Sequence, residues 1–174
     1  MEASIAEEQK LTENKSSDAV LDSARQKQYK MLNLSSQHLY ALPERLKEFD
    51  WVTTLFVKQT CLKELTNLPA NLTTINASQT QITQLSFKLP DKLRRLDVSN
   101  TNLYHISNNV LPLSLESANF SNCMLDNESV NKIIQLDPCI LHTLDISRNM
   151  NVTQLNFNIS DTSTCMGSLL ELRL

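Results

Sequence analysis

Six times along the chain the same apolar skeleton returns, L-x-x-L-x-L-x-x-N-x-L, with a seventh copy begun at Leu169, and this recurrence limits the possible folds more than any other feature. Its register starts fall at Tyr29, Val52, Leu72, Leu93, Leu115, Leu141 and Leu169, spaced 23, 20, 21, 22, 26 and 28 residues apart. The second apolar position holds Leu32, Leu55, Ile75, Leu96, Ala118, Leu144 and Leu172. The third holds Leu34, Val57, Ala77, Val98, Phe120, Ile146 and Leu174. The fourth holds Leu39, Leu62, Ile82, Leu103, Leu125 and, one residue late, Val152. One such match arises by chance, but a run of them in register does not.

The alternation Leu-x-Leu puts two apolar side chains on one face of a short strand and the intervening residue on the other. A single unit cannot stand alone, because its few buried side chains fall well short of the entropy lost in ordering about twenty residues. Stacked units share one core and one parallel sheet, so neighbours hold the skeleton fixed while outward residues vary. The fold class expected is therefore an α/β solenoid, curved, with about seven short parallel strands and a concave sheet roughly 30 Å across. The position usually held by Asn carries Gln37, Thr60, Thr80, Thr101, Cys123 and Asn149. Inside a sharp bend such a side chain satisfies buried backbone groups, which makes Cys123 part of the ladder rather than a nucleophile.

The return paths differ in length. The stretch 42–49, "LPERLKEF", reads as a short helical turn with Pro43 at its first position, where a missing N–H costs nothing. "LPANL", "LPDKL" and "LPLSL" leave room only for extended or 3₁₀ backs. In "DNESVNKIIQLDP" Asp126 can cap, Val130, Ile133 and Ile134 share a face, and Pro138 stops the run, which predicts a helix over about 127–136. Both ends of a solenoid need covering. At the front, residues 16–28 form a helical cap, with Ser16 or Ser17 at its start, Val20, Leu21 and Ala24 facing the core and the helix proper at about 18–28. Residues 1–15 are polar, include a capping-box match at Ser4 to Glu7, and are expected to be mostly mobile. At the back, "SLLELRL" ends at Leu174 inside the strand of a seventh unit, which leaves two expectations: a second copy pairs with that edge, or the chain is cut from a longer protein.

Composition removes several classes of function. Leucine supplies 29 of 174 residues and glycine one, Gly167, so glycine-rich phosphate loops are excluded and turns must use Asn, Asp, Ser and Pro. Formal net charge is −3, which favours neither nucleic acid nor an anionic membrane as partner. No stretch approaches the ~18 apolar residues of a membrane span, and the polar, acidic start lacks the pattern of a secretory signal. Cytoplasmic synthesis is expected. Cys61, Cys123, Cys139 and Cys165 are scattered and are read as free thiols. Triplets such as Asn33-Leu-Ser, Asn76-Ala-Ser and Asn119-Phe-Ser are read as chance in a chain so rich in these residues. His38, His105 and His142 lie in different units without metal-pair spacing, so no metal and no cofactor are expected.

Three successive units carry Leu-Pro-x-x-Leu-x-x-(Leu/Ile/Ala)-x-(Val/Ala/Phe): "LPANLTTINA", "LPDKLRRLDV" and "LPLSLESANF". Over 29–174 the chain resembles leucine-rich repeat proteins. Over about 65–120 it is similar to the short bacterial subclass found in host-directed effectors, the Yersinia outer protein M and invasion plasmid antigen H families. The resemblance implies a protein-binding role and export into a host cell without a classical signal peptide. Some members of that subclass continue into a ligase domain after the repeats.

The residues that point out of the strands are the candidates for binding. One column reads Met31, Thr54, Thr74, Arg95, Ser117, Thr143, Glu171, and the next Asn33, Phe56, Asn76, Asp97, Asn119, Asp145, Arg173. A third reads Ser35, Lys58, Ser78, Ser99, Ser121, Ser147. Together they form a polar face better suited to a protein than to a small molecule. The candidate partner-binding residues are Met31, Thr54, Phe56, Lys58, Asn76, Arg95, Asp97, Asn119 and Asp145. Phe56 is the sharpest of them, an outward aromatic on a polar sheet. Lys92, Arg94, Arg95, Arg148 and Arg173 are read as a charge-paired face with Asp97, Glu116, Asp145 and Glu171. No histidine shares a column with Ser99 or Ser121, so no catalytic group is assigned and the chain is read as a non-enzyme. Three functions follow: a module binding a partner protein through the concave face, the recognition arm of a larger ubiquitin-ligase-type effector, or an assembly subunit pairing through its C-terminal edge.

Overall fold

The first apolar residue of each Leu-x-Leu pair sits at the centre of a three-residue strand, the second follows just after it, and each strand lies beside the next copy of itself. A computed structural model describes residues 17–136, 140–154 and 169–174. In chain order the elements are helix α1 (Ser17–Lys27), β1 (Met31–Asn33), the 3₁₀ turn η1 (Glu44–Glu48), β2 (Thr54–Phe56), β3 (Thr74–Asn76) and β4 (Gln84–Leu85). They continue as β5 (Arg95–Asp97), β6 (His105–Ile106), β7 (Ser117–Asn119), α2 (Asn127–Ile134), β8 (Thr143–Asp145) and β9 (Glu171–Arg173). The main sheet is parallel and seven-stranded, in the order β1-β2-β3-β5-β7-β8-β9. Its register runs through Leu32, Leu55, Ile75, Leu96, Ala118, Leu144 and Leu172, one per coil. The molecule is the α/β leucine-rich repeat solenoid that the spacing predicts.

The inward residues merge into one core. Leu55 is 0%, Leu96 2% and Leu144 1% exposed, and the third and fourth apolar positions from Leu34 to Ile146 are buried with them. In β9 and just after it Leu172 is half-buried and Leu174 is 71% exposed. The Leu-Pro-x-x-Leu element has a local cause. The carbonyls of Pro43, Pro69, Pro90 and Pro112 each accept from the amide three residues on, closing the turn that opens the next coil. Behind the sheet the short backs are extended, and β4 and β6 pair with each other through Gln84↔His105 and Leu85↔Ile106. That small second sheet adds to the expected architecture.

The bend after each strand is built without glycine. Ser36, Gln59, Gln79, Asn100, Asn122 and Arg148 all have positive φ, at 58, 57, 56, 56, 52 and 60°. Such a backbone costs a non-glycine residue about 1–2 kcal/mol. Stacking offsets it: the amides of Ser36, Gln59, Gln79, Asn100 and Asn122 each donate to a carbonyl of the next coil at 2.9–3.0 Å. Inside the bend, the Oγ1 atoms of Thr60, Thr80 and Thr101 donate to Val57, Ala77 and Val98 carbonyls at 2.9, 2.8 and 2.9 Å. Cys123 Sγ lies 3.4 Å from the Val98 carbonyl and 3.3 Å from Thr101 Oγ1. Burial pushes its thiol above the ordinary value, with the Thr101 hydrogen bond opposing, as befits an inert ladder rung. Gln37 departs from the pattern: its Nε2 is buried and has no hydrogen-bond partner among the described residues.

Helix α1 covers the first coil with Val20, Leu21 and Ala24. Arg45 pairs with Asp18 and Asp22 at 3.0 and 2.8 Å, and Arg25 with Glu48 at 2.7 Å, pinning α1 to η1. These pairs are exposed and orient the cap more than they stabilise it. The expected mobile start at 1–15, the capping box within it and Ser16 lie outside the described residues, as do Pro138, Cys139 and Cys165.

Helix α2 starts as its sequence suggests. Asp126 is extended and its carboxylate accepts from Ser129 N at 2.7 Å, while Val130, Ile133 and Ile134 are buried. Burial alone would raise the Asp126 carboxyl, but bonds from Ser129, together with His105 and Lys132 nearby, hold it below its ordinary value. Asp126→Ala is expected to cost about 1 kcal/mol. A carboxyl held low stabilises above its unfolded pKa of about 3.9 and loses that contribution as pH falls through the folded value. In urea titrations the gap between wild type and Asp126→Ala should be full at neutral pH and close at acid pH. A gap that persists unchanged into acid contradicts the capping role.

Candidate functional site

The alternation that buries Leu55, Ile75 and Leu96 sends their neighbours to the opposite face, where the strand register aligns them in columns. Met31, Thr54, Thr74, Arg95, Ser117, Thr143 and Glu171 follow one another across the sheet. Asn33, Phe56, Asn76, Asp97, Asn119, Asp145 and Arg173 form the second line. Eight of the nine residues singled out from the sequence therefore share one wall, and the ninth, Lys58, follows just beyond the end of β2. Hydrogen bonding divides them into two groups.

The first group is occupied by the fold. Asn33, Asn76, Asp97, Asn119 and Asp145 each accept, through Oδ1, from the backbone N of the serine two residues on, at 3.0, 3.1, 3.0, 3.0 and 3.0 Å. The hydroxyls of Ser78, Ser99, Ser121 and Ser147 donate to the same oxygens at 2.8, 2.7, 2.7 and 2.6 Å. This closed turn lets the chain leave the strand and enter the left-handed residue that follows. The Asn-x-Ser triplets, read from sequence as chance, are this turn. The missed signal was available, because Asp97-Val-Ser and Asp145-Ile-Ser stand at the same register position. The same bonds tie up Ser99 and Ser121 as donors, and no histidine stands in the three columns.

The second group departs from the rule. Among the complete coils only the second has no Asx–serine turn: Phe56 and Lys58 stand in its place. Phe56 is half-buried between Asn33 and Asn76, and Lys58 is exposed. Met31 and Thr54, also half-buried, lie alongside. Two strands further on Arg95 is exposed, with neither ion pair nor side-chain hydrogen bond among the described residues. Its sequence neighbour Arg94 lies outside the columns and pairs with Glu116 at 2.9 Å, while Lys92 donates to Asn71 at 2.7 Å. Arg173 pairs with Glu171 at 2.7 Å and reaches Asp145 at 4.0 Å. Among the described residues the charge-paired reading thus holds for Arg94 and Arg173 but not for Lys92, Arg95 or Arg148. The candidate site narrows to Phe56, Lys58 and Arg95, on a wall whose other Asx and serine groups are hydrogen-bonded except Ser35 Oγ, which is buried without a partner among the described residues.

Elsewhere the surface offers less. A cavity of about 690 Å³ lies by β6 and α2, away from the wall, lined by Lys88, Ile106, Leu111, Pro112, Lys132 and Leu136 among others. Among the described residues no group of three or more His, Cys, Asp or Glu side chains is placed to hold a metal ion. No described helix is long and apolar enough to cross a membrane.

No family model matches the chain, and no curated protein sequence matches it. Solved structures do. The chain is similar to the leucine-rich repeat domain of a Shigella effector, with a TM-score of 0.68 and 23% identity over 91% of this chain and 70% of that one. It is also similar to YopM from Yersinia enterocolitica WA-314, with a TM-score of 0.58 and 21% identity over 80% of this chain and 33% of that one. This chain thus spans about a third of the YopM structure. At these identities the likeness is one of fold.

Proposed function

We propose that this leucine-rich repeat solenoid is a protein-interaction module, and that it binds a partner protein through its concave wall with Phe56, Lys58 and Arg95 at the centre. The observation that carries the proposal is the second coil, which gives up a turn kept by the other complete coils and presents an aromatic side chain and a cation instead. Met31 and Thr54 border that anchor, and Asn76, Asp97, Asn119 and Asp145 serve mainly to hold the wall in shape. The mechanism is preorganisation: backbone bends are bonded from coil to coil, so binding orders little of the chain. Action inside a host cell after export belongs to the same proposal, supported by the fold shared with a Shigella effector domain.

Phe56→Ala and Arg95→Glu test it. Each is expected to weaken capture of the partner from host lysate by about 2 kcal/mol, some thirtyfold, the scale of an interface hot spot. The circular dichroism spectrum should stay unchanged, because neither side chain enters the core. Normal capture by both variants refutes the concave site.

A further inference from the structure

Resting on that reading, we propose that the partner presents an acidic segment to the wall, with one large apolar side chain set between carboxylates. The charged groups of the wall differ in how far the fold has already engaged them. Asp97 and Asp145 spend Oδ1 on Ser99 and Ser147, Asp97 Oδ2 faces Asn76 Nδ2 at 3.4 Å, and Glu171 is paired with Arg173. Lys58 and Arg95 have no ion pair or side-chain hydrogen bond among the described residues, and both are exposed. Phe56 lies between them: Lys58 is two residues along the chain, and Arg95 is diagonal to it, two strands away in the Thr54–Thr74 column, about 12 Å at the ordinary strand spacing and rise, with Asp97 directly across. Met31, diagonal to Phe56 on β1, widens the apolar centre.

What remains to be satisfied from outside is an apolar patch flanked by two cations, one of them a guanidinium that takes a carboxylate bidentately. A nucleic acid fits less well. The columns hold one aromatic, Phe56, where single-strand binding uses several.

The test pans a random dodecapeptide display library on the full chain, with the double variant Phe56→Asn/Lys58→Ser as counter-selection. That variant gives the second coil the turn of its neighbours, and its circular dichroism spectrum should match wild type. Enriched peptides are expected to carry a large apolar residue between Asp or Glu. They should bind wild type about tenfold or more tighter than the double variant, Arg95→Glu or Lys58→Glu, and weaken as salt is raised. Peptides that need Phe56 but lack acids, or that tolerate both charge reversals, overturn the acidic partner and leave the concave site standing. Peptides that bind the double variant as well as wild type overturn both. Failure to enrich any peptide overturns the acidic segment, and a single-stranded RNA oligonucleotide that binds through Phe56 in its place does the same.

Discussion

Phe120→Ala is expected to lower the free energy of unfolding by about 3–5 kcal/mol, the usual cost of emptying a buried aromatic site. Phe120 is fully buried at the third apolar position of its coil, where the other units carry Leu, Val, Ala or Ile. It is paired there with Ala118 at the second position, so one large and one small side chain fill the width of that layer. Its amide donates to Asp145 O at 2.8 Å and its carbonyl accepts from Asn149, so it also links its coil to the next. The loss should appear in equilibrium urea unfolding followed by far-UV circular dichroism. A change below about 1 kcal/mol would mean that the coils do not lean on a shared interior.

Asn149→Ala should cost at least about 2 kcal/mol, more than a surface asparagine has any means to supply. One amide serves three buried backbone groups: Nδ2 donates to Phe120 O at 2.9 Å and Ile146 O at 2.7 Å, and Oδ1 accepts from Leu125 N at 3.0 Å. Truncation strands all three away from water. Asn149→Asp separates the two halves of the role, because it keeps the acceptor for Leu125 N and loses both donors. It should fall between wild type and alanine, or below alanine where the charge stays buried. Thermal unfolding of the three proteins side by side decides it, and equal midpoints would remove Asn149 from the ladder.

Much of this was legible before any coordinates. The register of Leu55, Ile75, Leu96 and Leu144 could be read directly, because a residue that must be buried between neighbours leaves a period that hydropathy records. Asp126 and the face of Val130, Ile133 and Ile134 announced α2 in the same way. What stayed hidden depends on hydrogen bonds, which leave no hydropathy trace. Asn76 and Asp97 look like free concave groups until Ser78 and Ser99 are seen to occupy them. Arg94 and Arg95 are adjacent and alike in sequence, yet Arg94 pairs with Glu116 while Arg95 has no ion pair among the described residues. The pairing of β4 with β6 depends on two successive coils having backs that match in length, a property of the stack and not of either segment. The exceptional second coil emerged only once the rule it breaks was visible.

That exception is the core of the proposed function, in which Phe56 and Lys58 serve a ligand and not the fold. The thermal midpoint of Phe56→Asn/Lys58→Ser measures this most directly. The variant gains a turn bond to backbone N and a serine hydroxyl bond, each worth about 1 kcal/mol, and gives up a half-buried ring on a polar face. The account predicts a midpoint equal to or above that of wild type. A midpoint lower by several degrees would show that Phe56 is part of what holds the coils together, and the reading of the second coil as a binding site would fail.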